Sequence, residues 1–118
     1  MYVDGFVLPI PKKRRADYLK MARLGAKIWM EHGALQYMEC EGDDVPVGKI
    51  TSFTRAVKLQ RGETSWFAFI VYKSRAHRDK VNAAVMKDKR MAKFMMGKTA
   101  PFDHKRMIFG GFKVIVGR

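Results

Sequence analysis

The run Trp66-Phe67-Ala68-Phe69-Ile70-Val71-Tyr72 is apolar on both sides of an extended chain. One parity carries Trp66, Ala68, Ile70 and Tyr72 and the other carries Phe67, Phe69 and Val71, so a strand here has no face suited to water. The C-terminal segment repeats the pattern, with Met107, Phe109 and Ile115 alternating with Ile108, Phe112, Val114 and Val116. The opening Tyr2 to Ile10 run mixes Val3 and Val7 with Phe6, Leu8 and Ile10. Only about two helical stretches accompany these strands. If they shield one face of the sheet, something else must shield the other, and a second copy of the same sheet is the simplest cover. An obligate homodimer is the expectation.

Pro9 and Pro11 end the first strand, and Pro11 suits the first turn of a helix, where its missing N–H is not needed. That helix is predicted to run to Glu31 or His32. Its core stripe is Tyr18, Met21, Ala22, Gly25, Ile28 and Trp29, with Lys20, Arg23 and Lys27 opposite and Gly33 placed to stop it. Leu35 to Glu41 is extended, and residues 42–48 form a Gly- and Pro-punctuated loop. A further strand is expected from about Thr51, where Phe53, Val57 and Leu59 alternate with Ser52, Thr54 and Lys58, before a turn at Gly62. Ser74 caps a second helix through Val81, Ala84 and Val85, and Asp88 caps a short third one bearing Met91, Ala92 and Met95. A loop around Gly97, Pro101 and Asp103 precedes the last strand. This order is a split βαβ, an α+β ferredoxin-like plan with a four- to five-stranded antiparallel sheet, in one domain spanning residues 1–118.

The 118 residues carry a formal charge of +13. Residues 73–106 concentrate the excess, with eleven Lys or Arg against Asp79, Asp88 and Asp103. Such a surface adheres nonspecifically to nucleic acid at low salt whatever its task. A single cysteine, Cys40, excludes an internal disulfide and a cysteine zinc cluster, and fits a reducing compartment. Met1 to Gly5 contain no secretory run, and no stretch approaches the ~20 apolar residues of a membrane span, so a cytoplasmic protein is expected.

The segments YVDGFVLPIPKK (2–13), IWMEHGALQYMECEGDDVP (28–46), ITSFTRAVKL (50–59), VYKSRAHRDKVNAAVMKD (71–88) and PFDHKRMIFGGF (101–112) resemble the YbaA-like family of small uncharacterised bacterial proteins. The resemblance covers nearly the whole chain. It implies the dimeric α/β-barrel superfamily, in which two ferredoxin-like sheets pack face to face. Relatives there include cofactor-free monooxygenases, haem-degrading enzymes, lactone isomerases and binding proteins, and the YbaA-like branch has no assigned activity. Haem-degrading members carry an Asn on strand one with a Trp and a His later. This chain has Trp66 and His77 in comparable places, but its first strand carries Asp4 and no Asn. No cofactor is expected.

His32 stands in the last turn before Gly33, where an imidazole can bond the terminal carbonyls or point between helix and sheet as a proton-transfer group. His77, three residues after the Ser74 cap, reads as an exposed first-turn residue beside Arg78 or as a neutral base. Asp43 and Asp44 read as solvated turn residues with no third ligand, so no metal site is expected. Cys40 shares the parity of Met38 and reads as a small core residue. Lys12, Lys13, Arg14 and Arg15 crowd a helix start, where cations oppose the dipole, and form a solvated basic corner or a seat for an anion. Lys80, Lys87, Lys89, Arg90 and Lys93 form a second basic face, with no aromatic residue interleaved to stack bases. No phosphate loop, nucleophile elbow or HExxH is present.

Together these observations point to a homodimer that binds a small apolar or aromatic molecule between helices and sheet, lined by Phe6, Trp29, Phe53, Trp66, Ile70 and Phe109. The resemblance adds monooxygenase or isomerase chemistry, with His32 or His77 moving the proton. From a different class comes an RNA- or anion-binding protein using the basic face of residues 73–98. A third reading is a non-catalytic structural or regulatory dimer, marked by a cavity filled with Met21, Met38, Met91 and Met95.

Overall fold

Strand β1 (Tyr2–Pro11) lies inside a four-stranded sheet of order β2-β3-β1-β4. The computed structural model describes residues 1–95 and 100–118. In chain order, β1 is followed by a 3-10 turn (Lys12–Arg14), α1 (Arg15–Glu31), β2 (Gln36–Glu41), the short α2 (Phe53–Ala56) and β3 (Glu63–Tyr72). Then come α3 (Arg75–Lys87), α4 (Lys89–Met95), a 3-10 turn (His104–Arg106) and β4 (Ile108–Lys113). All strand pairs are antiparallel. The split βαβ connectivity and the α+β ferredoxin-like class read from the sequence are those of the structure.

Alternation along the strands assigns the faces. Asp4, Phe6, Leu8 and Ile10 of β1 stand with Trp66, Ala68, Ile70 and Tyr72 of β3, and Tyr18, Ala22, Gly25 and Ile28 of α1 are buried against that side. Two clusters fill the interface. One gathers Leu8, Ile10, Tyr18, Trp66 and Phe102, and the other gathers Ile28, Ile70, Tyr72, Val81, Val85 and Met91. Gly33, at φ 113°, ends α1 in the left-handed region, and Ser74 Oγ accepts the His77 N–H at 3.1 Å to start α3.

The segment from Thr51 to Leu59 departs from the expected strand. Ser52 Oγ accepts the Arg55 N–H at 3.0 Å and caps the single turn of α2. Phe53 and Val57, two apolar positions of the supposed strand, are also four residues apart, the spacing of one helical face. Here the cap settles the ambiguity. Lys58, at φ 49°, then turns the chain away from extended geometry. The segment folds over the other face of the sheet, where Phe53 meets Phe67 edge-on with centroids 6.2 Å apart, and Val57 is fully buried. The final strand also stops earlier than its apolar pattern, at Lys113, and Ile115 and Val116 are exposed.

The rest of that second face is uncovered. Met38, Phe67, Ile108 and Phe112 are exposed there, Phe112 to 64%. Cys40, on the same parity as Met38, is exposed as well and is not a core residue as its strand position suggested. The side chains of Lys93 and Met95, and the loop expected around Gly97, lie outside the described residues.

Ile28 is 0% exposed between Ile70, Tyr72 and Val81. Ile28→Ala is expected to lower unfolding free energy by ~2–5 kcal/mol. Ile50→Ala, at a 91% exposed position, is expected to change it by less than about 0.5 kcal/mol. Urea denaturation at one protein concentration measures both.

Candidate functional site

Between the helices and the sheet lies a cavity of about 750 Å³. Small residues leave it room, with Ala22 of α1 and Ala68 of β3 in one packed cluster on its wall. The bare Cα of Gly25 admits the Tyr37 hydroxyl to a place 3.0 Å from where a Cβ would lie. Phe6, Leu8 and Ile70 of the sheet, Met21 and Trp29 of α1, and Met86 and Met91 of the later helices supply apolar walls. Phe102, His104, Met107 and Phe109 complete the lining, and Phe109, 72% exposed on edge strand β4, stands at the mouth.

Polar residues break this apolar lining, gathered mainly around Glu39 and around Asp4, with His104 beside Phe102. Glu39, on the helix-facing parity of β2, lies in a cross-sheet row with Ala68, Phe6 and Phe109. The Tyr18 hydroxyl donates to both its oxygens, at 2.9 Å to Oε2. Burial pushes the Glu39 carboxyl up to about 7, outweighing the lowering effect of that hydrogen bond. Tyr18 is itself pushed above the ordinary tyrosine range, first by burial and then by the carboxylate beside it.

The second group surrounds Asp4. Arg78 Nη1 donates to Asp4 Oδ1 at 3.2 Å and Nη2 donates to the Tyr2 hydroxyl at 3.3 Å, while the guanidinium lies 5.0 Å from the centre of the Tyr2 ring. Burial raises the Asp4 carboxyl and the Arg78 charge works against that rise. Gly111, paired with Asp4 across β1 and β4, makes the arrangement possible, since a Cβ there would fall 2.3 Å from the Tyr2 hydroxyl. Asn82 Oδ1 accepts from Trp29 Nε1 at 3.1 Å and from the Tyr72 hydroxyl at 3.2 Å, joining α1, β3 and α3.

Phe6, Trp29, Ile70 and Phe109, named from sequence as pocket candidates, stand on this cavity wall. Phe53 and Trp66 instead line a separate hollow of about 230 Å³ with Cys40, Asp43 and Asp44. Trp66 also packs edge-on against Tyr18 at 5.1 Å, with the Arg15 guanidinium 6.0 Å from its ring. Neither His32 nor His77 is on the cavity wall. His32 Nε2 pairs with Asp88 Oδ2 at 2.9 Å, in place of the terminal carbonyls expected of it, and Arg90 together with His32 holds the Asp88 carboxyl well below the usual range. His77 is half-buried, its Nδ1 accepts the Lys73 N–H at 3.0 Å, and its ring meets Tyr72 edge-on.

Basic residues are similarly engaged in places. Arg90 is tied to Glu31 and Asp88, whereas Lys80, Lys87 and Lys89 are exposed, and the Lys93 side chain lies outside the described residues. At the start of α1, Arg15 clamps Glu41 through two bonds of 2.7 and 3.1 Å, and Arg14 reaches Asp17 and the Ala100 carbonyl. Met21 and Met91 line the cavity while Met38 faces the other side of the sheet. Sequence reasoning missed Glu39, Tyr37, Asn82 and His104 as lining residues. For Glu39 the signal was present: in Gln36-Tyr37-Met38-Glu39-Cys40-Glu41 the acid shares a parity with Tyr37.

A family model described as "Protein of unknown function (DUF1428)" matches residues 1–104. The chain is 45% identical over 115 residues to the "Uncharacterized protein YbaA" of Escherichia coli strain K12, covering 98% of this chain and 97% of that relative. The same identity and coverage hold for the "Uncharacterized protein YbaA" of Shigella flexneri. These matches bear out the resemblance read from the five segments. Among the described residues, no helix is long and apolar enough to cross a membrane.

A carboxyl that titrates higher in the folded chain than in the unfolded one binds extra protons when folded. Its stabilising contribution is full below the ordinary value of 4.5 and is lost as pH rises through about 7. Wild type is therefore expected to lose on the order of 1–3 kcal/mol between about pH 5 and pH 8 through this group, given ~1.4 kcal/mol per unit of pKa and some solvent screening. Glu39→Gln should flatten that part of the profile. Parallel Tm profiles for the two proteins would show that Glu39 titrates normally.

Proposed function

We propose, for a chain that belongs to the DUF1428 family of proteins of unknown function, a homodimer that binds a small apolar or aromatic molecule between its helices and its sheet. The observation that carries this reading is the cavity of about 750 Å³, a volume within the range of small-molecule sites. Its walls offer aromatic and aliphatic contact, and its few polar groups are placed to orient a ligand.

The dimer rests on the uncovered sheet face. Monomeric proteins seldom leave a contiguous apolar patch of strand residues in water. Met38, Phe67, Ile108 and Phe112 form such a patch, and a twofold axis would set it against its own copy. Exposed Ile115 and Val116 add apolar surface after β4.

Turnover in the cavity, by isomerisation or by cofactor-independent oxygen chemistry as the wider superfamily suggests, is an analogy at the level of fold. Such chemistry would use a proton-transfer group on the wall, Glu39, in place of His32 or His77. The exposed lysines of α3 and α4 support adhesion to polyanions at low salt.

Phe112→Asp is expected to weaken the dimer at least ~10-fold without unfolding the chain, because it sets like charges against one another across a twofold interface. Sedimentation equilibrium measures this, and a wild-type monomer would refute the dimer. Ala68→Leu, which extends a side chain into the hollow, should lower naphthalene affinity at least ~10-fold.

A further inference from the structure

The Glu39 carboxyl has acceptor capacity that the protein leaves unused. Two carboxylate oxygens offer about four lone-pair positions. Among the described residues the Tyr18 hydroxyl is the one donor to them, and it carries a single proton. Among the described residues no cation pairs with it, and Arg15 on the neighbouring helix is taken by Glu41. Two residues along the same face of β2, the Tyr37 hydroxyl lines the same cavity and makes no hydrogen bond among the described residues. Both groups face the cavity, where water or a ligand can complete their hydrogen bonding.

Resting on the cavity reading, we propose that the site selects uncharged aromatic molecules bearing a hydroxyl, phenols in chemical class, with the ligand O–H donated to Glu39 and Tyr37 beside it as a second hydrogen-bonding group. The ring lies against Phe6, Trp29 and Ile70. A cationic amine would also suit a carboxylate, but the chain carries +13 and Arg78 shares the cavity wall, so the surrounding field opposes it. A ligand carboxylate would meet Glu39 and Asp4 as like charges.

Binding isotherms for naphthalene, 2-naphthol and 1-naphthylmethylamine test the proposal. In wild type, 2-naphthol should bind roughly 10- to 100-fold more tightly than naphthalene, the range of a hydrogen bond to a charged group. Glu39→Ala should erase that preference and leave naphthalene binding in place. Glu39→Gln, which keeps an acceptor and the shape, should retain part of it and lose its pH dependence. In wild type the preference should fall as pH drops from about 8 to about 5.5, where the carboxyl takes up a proton. Tyr18 from α1 and Tyr37 from its own strand face Glu39, while Asp4, Arg78 and His104 share the wall, so His104→Gln is the control for titration elsewhere. Equal binding of naphthol and naphthalene to wild type, or a preference that survives Glu39→Ala, would overturn the proposal. Tighter binding of the amine would overturn it in favour of a cation site. If neither neutral aromatic binds, the cavity reading fails and this inference falls with it.

Discussion

Pairing of Tyr2 with Tyr72 through to Pro11 with Glu63 sets β1 and β3 in a ten-residue antiparallel ladder. Because side chains alternate with a period of two, a slip of one residue would send Asp4, Phe6 and Leu8 to the uncovered face and bring Val3 and Val7 under the helices. The cavity floor, the Asp4–Arg78 pair and the uncovered apolar patch all inherit their positions from this register. It also explains how a chain apolar on both parities still distinguishes its two sides. Bulky and polar groups with partners on α1 and α3 occupy one parity, while Val3, Val7, Phe67, Phe69 and Val71 occupy the other.

The strands and long helices were legible in the amino-acid sequence because their periodicities are long and their ends are punctuated. Ten residues of β1 end at prolines, α1 ends at Gly33, and α3 begins at Ser74. The α2 segment was not legible, since nine residues with apolar positions two and four apart satisfy a strand and a helical turn alike. The site was legible only in part. Aromatic residues can be nominated as a lining, but whether Phe53 joins it depends on which side of the sheet its segment crosses, and whether Phe109 does depends on its register with Phe6. Hollows arise from what is missing, here larger side chains at Ala22 and Ala68, and no local pattern marks small residues on separate elements as neighbours across a layer.

Within the cavity the two acidic groups are treated differently by the fold. Asp4 receives a cation, and Arg78 is in turn steadied by the Tyr2 hydroxyl and ring. Glu39 receives only a tyrosine hydroxyl. Pairing lowers the cost of the buried aspartate charge, whereas the glutamate is left where a small change in its surroundings alters its protonation. One acid therefore holds elements together and the other remains responsive to its surroundings.

The strand order has a consequence for how the molecule is made. During synthesis β1 emerges before the other three strands, yet both its neighbours, β3 and β4, follow only after α1 and β2. Until Tyr72 has been added, its ladder has no complete partner, and β2 cannot supply one because β3 lies between them. Closure over such a separation is slow compared with helix formation. The nascent chain must carry an unpaired apolar strand until β3 has been made, with α1 as its earliest cover.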